Sequence, residues 1–393
     1  MKNLYQYYHK LNKLNILEIV TVMILVFGLF PPSEIAKLSR YILSLLLQIF
    51  LLIKYQRHNT PVVKNYFVII SLIALCAFNF VVNNIEICLI IKRVLPLLSM
   101  FGIGLIGSAT EQIDMKKVIK TFVEIYVVLM LIVAVDYLIY IITRRVFLWE
   151  PYLYLGVRAT GPIGDPNFLG LFTVSVLLIV WNMDYKRRYK IFASVILIAM
   201  ILLSLSISTW LIAILSFVLN RVLPKNNRNK AIVIFLVDLA FLWIFQIFRD
   251  DILYLGSKIM TFFYGGDIWA GELKFASAMI RFDTQVKAVE IFGKNWIGQG
   301  PHQMVPQLGH DTHNSYLSFL FEGGIPELLL IFVTLRNRVS NPFNNNLGTF
   351  LMLFALVLNV HDTMIWSLFL LSQYYNDAVS LPAEKEKYIG VEL

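Results

Sequence analysis

Three side chains lying far apart in the chain have the chemistry to handle a phosphorylated substrate. They are Arg158 in GVRATGPIGDPNFLG, Arg281 in ASAMIRFDTQ, and His313 at the head of HNSYLSFLFEGG. A guanidinium offers a planar fork of N–H donors that grips phosphate oxygens in pairs, so two arginines from distant segments could clamp a pyrophosphate. An imidazole with a near-neutral pKa can accept the proton of an attacking hydroxyl. Each has a plainer reading: a snorkelling or salt-bridged arginine, or a polar histidine at a membrane interface. The plainer reading is favoured for His302, His310 and His361, the other histidines of the C-terminal part. Asn314 follows His313 and could orient it or a substrate hydroxyl, or equally cap the next helix. Lys92 and Arg93 stand inside an apolar run, where isolated charges are costly. They either face a polar cavity, with an anionic ligand as the natural partner, or snorkel toward headgroups.

The elements that must position these groups are set by composition. Of 393 residues, 58% are hydrophobic and 15% charged, with a mean hydropathy of +0.70, so the chain needs lipid as its solvent. The net charge of +9 is scattered between apolar runs, which excludes a nucleic-acid footprint. Cys76 and Cys88 lie in or beside apolar stretches and provide no disulfide framework. A spanning helix needs about 20 apolar residues, fewer where the bilayer thins. That yardstick gives an all-α, polytopic transmembrane bundle of about 12 helices, forming a single membrane domain over 1–393. The spans are 16–30, 35–53, 66–82, 85–107, 118–142, 168–181, 191–205, 209–223, 231–248, 315–335, 347–360 and 364–371.

Lys and Arg bias orients them. Lys2, Lys10 and Lys13, then Lys54, Arg57 and Lys64, then Lys116, Lys117 and Lys120, the KRRYK run at 186–190, the segment 221–230, and Arg336 with Arg338 all belong on the cytoplasmic side, as does the N-terminus. Parity places 143–167, with Arg158, and a large loop over 249–314, with Arg281, outside. Within the large loop, Ile280, Val286, Val289 and Phe292 recur at helical spacing from Ser277, an expected N-cap, to Gly293. The expectation is a short amphipathic helix on the outer membrane surface, with Arg281 and Lys287 at its polar boundary. Glu322 lies about 900° round a continuous helix from His313, on the opposite face, and reads as a polar-network residue. There is no internal repeat, P-loop, Rossmann fingerprint or zinc-ligand spacing, and no D-x-D in the early outer loops. Asp250 and Asp251 read as a charged helix end.

The order of these parts resembles the O-antigen ligase and polysaccharide polymerase superfamily. An outer Arg158 precedes Gly161–Gly170, of the form G-x-x-x-D-P-N-x-x-G with Asn167. Arg281 then falls on a loop helix, followed by a glycine-rich turn, IGQGP at 297–301, and by His313, Asn314, Tyr316 and Leu317 with Glu322 and Gly324. The likeness runs through the chain from Arg158 onward and rests on order and shared sidedness, since each piece is short. SISTW at 206–210 departs from relatives that carry an Arg after the Ser. The resemblance implies a glycosyltransferase at the outer face of a bacterial cytoplasmic membrane, using an undecaprenyl-pyrophosphate-linked oligosaccharide without metal, nucleotide sugar or other cofactor. His313 would be the base. Arg281 and Arg158 would be catalytic, with Lys92, Arg93 and Asn314 contacting the pyrophosphate or substrate. The acceptor would be a growing glycan, making the enzyme a polymerase, or another molecule, making it a ligase. Membrane lipid, a chain-length regulator and a flippase are the implied partners. A flippase or exporter of lipid-linked sugars is the alternative of a different class.

Overall fold

The computed structural model describes residues 14–30, 33–55, 61–108, 113–153, 157–224, 227–263, 268–334 and 342–356. Among them lie fourteen α-helices and no strand, only an isolated antiparallel bridge between Tyr152 and Arg158. The helices are α1 Ile16–Phe27, α2 Glu34–Tyr55, α3 Pro61–Val82, α4 Ile87–Ser108, α5 Met115–Thr143, α6 Pro166–Asn182 and α7 Arg187–Ser204. They continue with α8 Ile207–Leu219, α9 Asn227–Ile247, α10 Arg249–Phe263, α11 Ile268–Lys294, α12 Met304–Leu308, α13 Ser315–Thr334 and α14 Pro342–Phe354.

Four stretches are long and apolar enough to cross a membrane: Glu34–Ile53, Met115–Thr143, Arg228–Ile247 and Ser315–Val333. Ile16–Phe27, Tyr66–Val82, Pro166–Asn182 and Ser208–Leu219 are apolar but shorter. The outward faces are apolar as well. Val128, Leu131, Ile132, Val135 and Leu138 of α5, and Leu236, Val237 and Trp243 of α9, are all exposed, an arrangement suited to lipid and not to water. The expected span at 364–371 and His361 lie outside the described residues.

The large loop differs from expectation in one respect. Its amphipathic helix is not short: α11 has 27 residues, begins at Ile268 and runs straight through Ser277, which is no N-cap. The preceding IWAGELKFA offers Ala, Glu, Leu and Lys, good helix formers that carry the helix backward. Nor is a membrane surface its main partner. Phe282 stacks on Phe245 at 4.6 Å between ring centroids and meets Phe241 at 5.8 Å, and Val286, Val289 and Phe292 pack on the main core.

One helix is broken, and the break organises the loop above it. In α13, Gly324 adopts φ 69°, ψ −160°, and Pro326 follows. Pro326 has no N–H to give the Glu322 carbonyl, and Ile325 turns its N–H to the Trp296 carbonyl at 3.4 Å, so the Phe321 and Glu322 carbonyls lose their helical donors. The IGQGP turn replaces them: Gln299 N–H donates to Phe321 O at 2.7 Å and Gly300 N–H to Glu322 O at 2.9 Å. Gly298, at φ 100°, has to be glycine, since a Cβ there would stand 2.5 Å from the Glu322 carbonyl oxygen. Beneath the break, Arg93 of α4 is held by carboxylates from either side of it. Its Nη2 lies 3.2 Å from Glu322 and 2.7 Å from Glu327, its Nε donates to Glu327 at 2.8 Å, and it sits over the Phe319 ring at 5.3 Å.

Arg93→Met leaves two buried carboxylates without their cation and should lower stability by about 3–5 kcal/mol. Thermal unfolding in detergent is the measurement. The triple variant R93M/E322Q/E327Q should recover most of the loss, because it removes the charges together; no recovery would mean that Arg93 acts through packing alone.

Candidate functional site

Arg158 is built into a corner where three backbone breaks meet. The bridge to Tyr152 fixes its main chain through hydrogen bonds of 3.0 and 2.9 Å, and the Ala159 N–H donates to Leu203 O at 3.0 Å. Its Nε donates to the Ser204 carbonyl at 2.9 Å, its Nη2 to Asn167 Oδ1 at 3.1 Å, and its guanidinium lies 5.8 Å from the centre of the Tyr152 ring. The side chain is buried. Asn167 is in reach because α6 begins there. Asp165 is the N-cap, its Oδ1 accepting from Asn167 N at 2.7 Å and Phe168 N at 3.1 Å, and Pro166 occupies the first helical position.

The third break separates α7 from α8. Leu205 takes a left-handed conformation, φ 46°, and ends α7; Ser206 caps α8 and donates its hydroxyl to Asn167 Oδ1 at 3.0 Å. SISTW therefore borders the Arg158 corner. Gly170 of α6 lies against it, where a Cβ would come within 2.6 Å of Thr209 Oγ1.

The large loop brings Arg281 and His313 to the same place. Gln285, one turn after Arg281 on α11, donates its side-chain N–H to the Thr312 carbonyl at 2.9 Å. Thr312 is itself buried, its hydroxyl 2.9 Å from Ser318 Oγ. His313 follows in a left-handed conformation, φ 50°, an unusual state for a non-glycine residue that turns the chain into α13. Burial lowers the His313 pKa below the ordinary imidazole value, the Arg281 charge lowers it further, and Asp311 and Asp165 oppose both. Burial likewise lowers the pKa of Arg281, with Asp165 opposing. Asp165 thus bears electrostatically on both Arg281 and His313, while Asn167, two residues on, holds Arg158. The result is a half-buried imidazole biased toward its neutral, proton-accepting form, beside an exposed guanidinium, with a second guanidinium across the α6 cap.

The other expected residues are placed elsewhere. Arg93 faces Glu322 and Glu327, and its anionic partners are therefore protein carboxylates. Glu322 also accepts the His302 N–H at 2.9 Å, as a polar-network residue would. Lys92 is exposed, within electrostatic reach of Glu34. Asn314 is fully buried, its Oδ1 accepting from Leu317 N at 3.2 Å and its Nδ2 donating to Asp238 at 2.8 Å. That is the capping alternative, combined with a tie to α9. His302 and His310 are exposed. Three participants carried little or no signal in the sequence: Asp165, whose place before Pro166 marks an N-cap; Ser206, at the head of SISTW; and Gln285, marked only by its one-turn offset from Arg281.

The environment of His313 predicts two opposite shifts. Arg281→Gln removes a repelling charge and should raise its pKa toward the ordinary value; Asp165→Asn removes an attracting one and should lower it. The pH dependence of His313 carbethoxylation, read by peptide mass spectrometry, reports both, and the same direction in both variants would contradict the arrangement. No protein-family model, curated protein or solved structure matches this chain.

Proposed function

We propose that this chain is a metal-independent membrane glycosyltransferase, a polymerase that joins undecaprenyl-pyrophosphate-linked oligosaccharide repeat units into a capsular, exopolysaccharide or O-antigen chain. The observation that carries the reading is the convergence of Arg281, His313 and Asp165 within electrostatic reach of one another, beside Arg158 on Asn167. In this reading the bundle crosses the bacterial cytoplasmic membrane about twelve times, the N-terminus is cytoplasmic, and the segments 143–167 and 249–314 are extracytoplasmic. The positive-inside distribution of Lys and Arg supports that topology.

The reaction needs two kinds of help. A hydroxyl oxygen of the acceptor glycan attacks the anomeric carbon of the donor, the bond from that carbon to the pyrophosphate oxygen breaks, and the hydroxyl proton passes to His313. An imidazole held neutral by burial and by a neighbouring cation is prepared for that step. Negative charge grows on the departing lipid pyrophosphate, and Arg281, with Arg158 behind it, is suited to stabilise that charge. Arg281 is exposed and able to meet a ligand directly. Arg158 is already engaged by Ser204 and Asn167, and serves best by orienting the anion site from below.

Purified protein in lipid, given undecaprenyl-pyrophosphate-linked repeat units alone, should yield a ladder of multimers. His313→Ala and Arg281→Ala should insert at normal levels and each lose on the order of 10²–10³-fold in rate. Normal chain growth in both variants would refute the site. Unchanged monomer with the wild-type chain, but transfer once a different acceptor is supplied, would make the enzyme a ligase.

A further inference from the structure

The segment that follows α5 does not stay at the end of its helix. The apolar stretch of α5 from Phe122 to Ile142 rises about 30 Å, one hydrocarbon thickness, so Thr143 marks a membrane boundary. Arg144, left-handed at φ 58°, turns the chain back. The Leu148 and Trp149 N–H groups then donate to the two carboxylate oxygens of Asp136 at 3.0 and 3.1 Å. On the returning limb, the Val157 carbonyl accepts from the Tyr137 hydroxyl at 2.7 Å. Asp136 and Tyr137 lie about 10 Å below Thr143 along the helix, so both limbs descend to that depth. Thr160 ties the limbs together by donating to the Glu150 carbonyl at 2.8 Å.

The apolar surface of this segment suits that depth, with Glu150 its one exposed carboxylate. Val146, Phe147, Leu148 and Leu153 are 53%, 73%, 50% and 58% exposed, beside Val135, Leu138 and Ile142 of α5, themselves exposed and apolar. Arg144 and Arg145 are exposed at the rim. Irregular backbone is tolerated at membrane depth only where its polar groups are satisfied, and a carboxylate in a spanning helix needs a reason to be there. Asp136 accepts two of the segment's N–H groups, which in turn gives that carboxylate its reason to stand in α5.

We infer that residues 144–153 form a re-entrant segment seated in the leaflet at the C-terminal end of α5, with acyl chains of the bilayer phospholipids against Val146–Leu148 and Leu153, and lipid phosphates against Arg144 and Arg145. The inference rests on reading α5 as membrane-spanning; the proposed topology adds only that the leaflet is the outer one. A consequence for the candidate site follows, because Arg158 directly succeeds Val157. Its guanidinium is carried below the helix end, to where α7 stops at Ser204, and is held there by the Ser204 carbonyl and Asn167 Oδ1.

The test reads depth without any substrate. In a Cys88→Ser background, which removes the exposed native thiol, Phe147→Cys, Leu153→Cys and, as a control, Gln307→Cys on exposed α12 are labelled with an environment-sensitive fluorophore. The proteins are placed in phosphatidylcholine/phosphatidylglycerol vesicles. Labels at 147 and 153 should be quenched several-fold more strongly by nitroxide-bearing lipids, and several-fold less by aqueous iodide, than the label at 307. Quenching at 147 and 153 equal to that at 307 would overturn the proposal, and either position suffices should the other variant fail to insert. Membrane burial of both labels with no glycan synthesis would discard the reaction and keep the segment.

Discussion

A guanidinium buried in an apolar bundle has to be neutralised where it stands, and in this chain that requirement governs the upper half of the molecule. Arg93 takes its counter-charges from Glu322 and Glu327, which lie on opposite sides of the break in α13. An uninterrupted helix would not present both to one side chain in this way, so ion pair and break belong together. The break in turn releases two carbonyls, and the glycine-rich turn of the large loop supplies their donors. The loop is thereby anchored, through its 297–301 turn, to the same helix that His313 and Asn314 lead into. A charge inside α4 thus fixes the frame against which the loop positions its own residues.

The candidate site repeats one device, a helix end brought to meet another. Asp165 caps α6, Ser206 caps α8, and Asn314 caps α13, and each of these caps has a second role. Asp165 bears on Arg281 and His313, Ser206 holds the amide that holds Arg158, and Asn314 ties the start of α13 to Asp238. Unpaired backbone groups at helix ends make such places polar within an otherwise apolar bundle, and polar groups are the material from which an anion site can be made. The left-handed residues Arg144, Leu205 and His313 all fall at helix ends, where the chain must turn within one or two residues.

The outer surface of the bundle is the other constraint on the structure. The outward faces of α5 and α9 are apolar and suited to lipid, and several polar groups inside the bundle are satisfied internally, as Tyr126 by Thr173 and Gln48 by Ser44, Tyr66 and the Leu98 carbonyl. The short helices α7 and α8 are consistent with this. The corner where they meet is occupied by Arg158 and its partners.

Several features were legible in the residues themselves. Hydrophobicity set the all-helical class and most helix positions, because only long apolar runs with internally bonded backbone suit a bilayer. Residue chemistry marked Arg158, Arg281 and His313 as candidates, and the separation of about 900° between His313 and Glu322 presupposed a continuous helix from His313, whereas α13 begins at Ser315. The true length of α11 was hidden, since periodicity marks the face that packs and says little about where a run of good helix formers stops. Tertiary structure alone decided the partners: that Arg93 answers two glutamates, that Asn314 answers Asp238, that the Asp165 charge acts on both Arg281 and His313, and that Asp136 draws a loop down beside its own helix. Each is a meeting of residues distant in sequence or turned back on a helix, and burial makes such meetings obligatory without revealing in the sequence which residue will supply the other half.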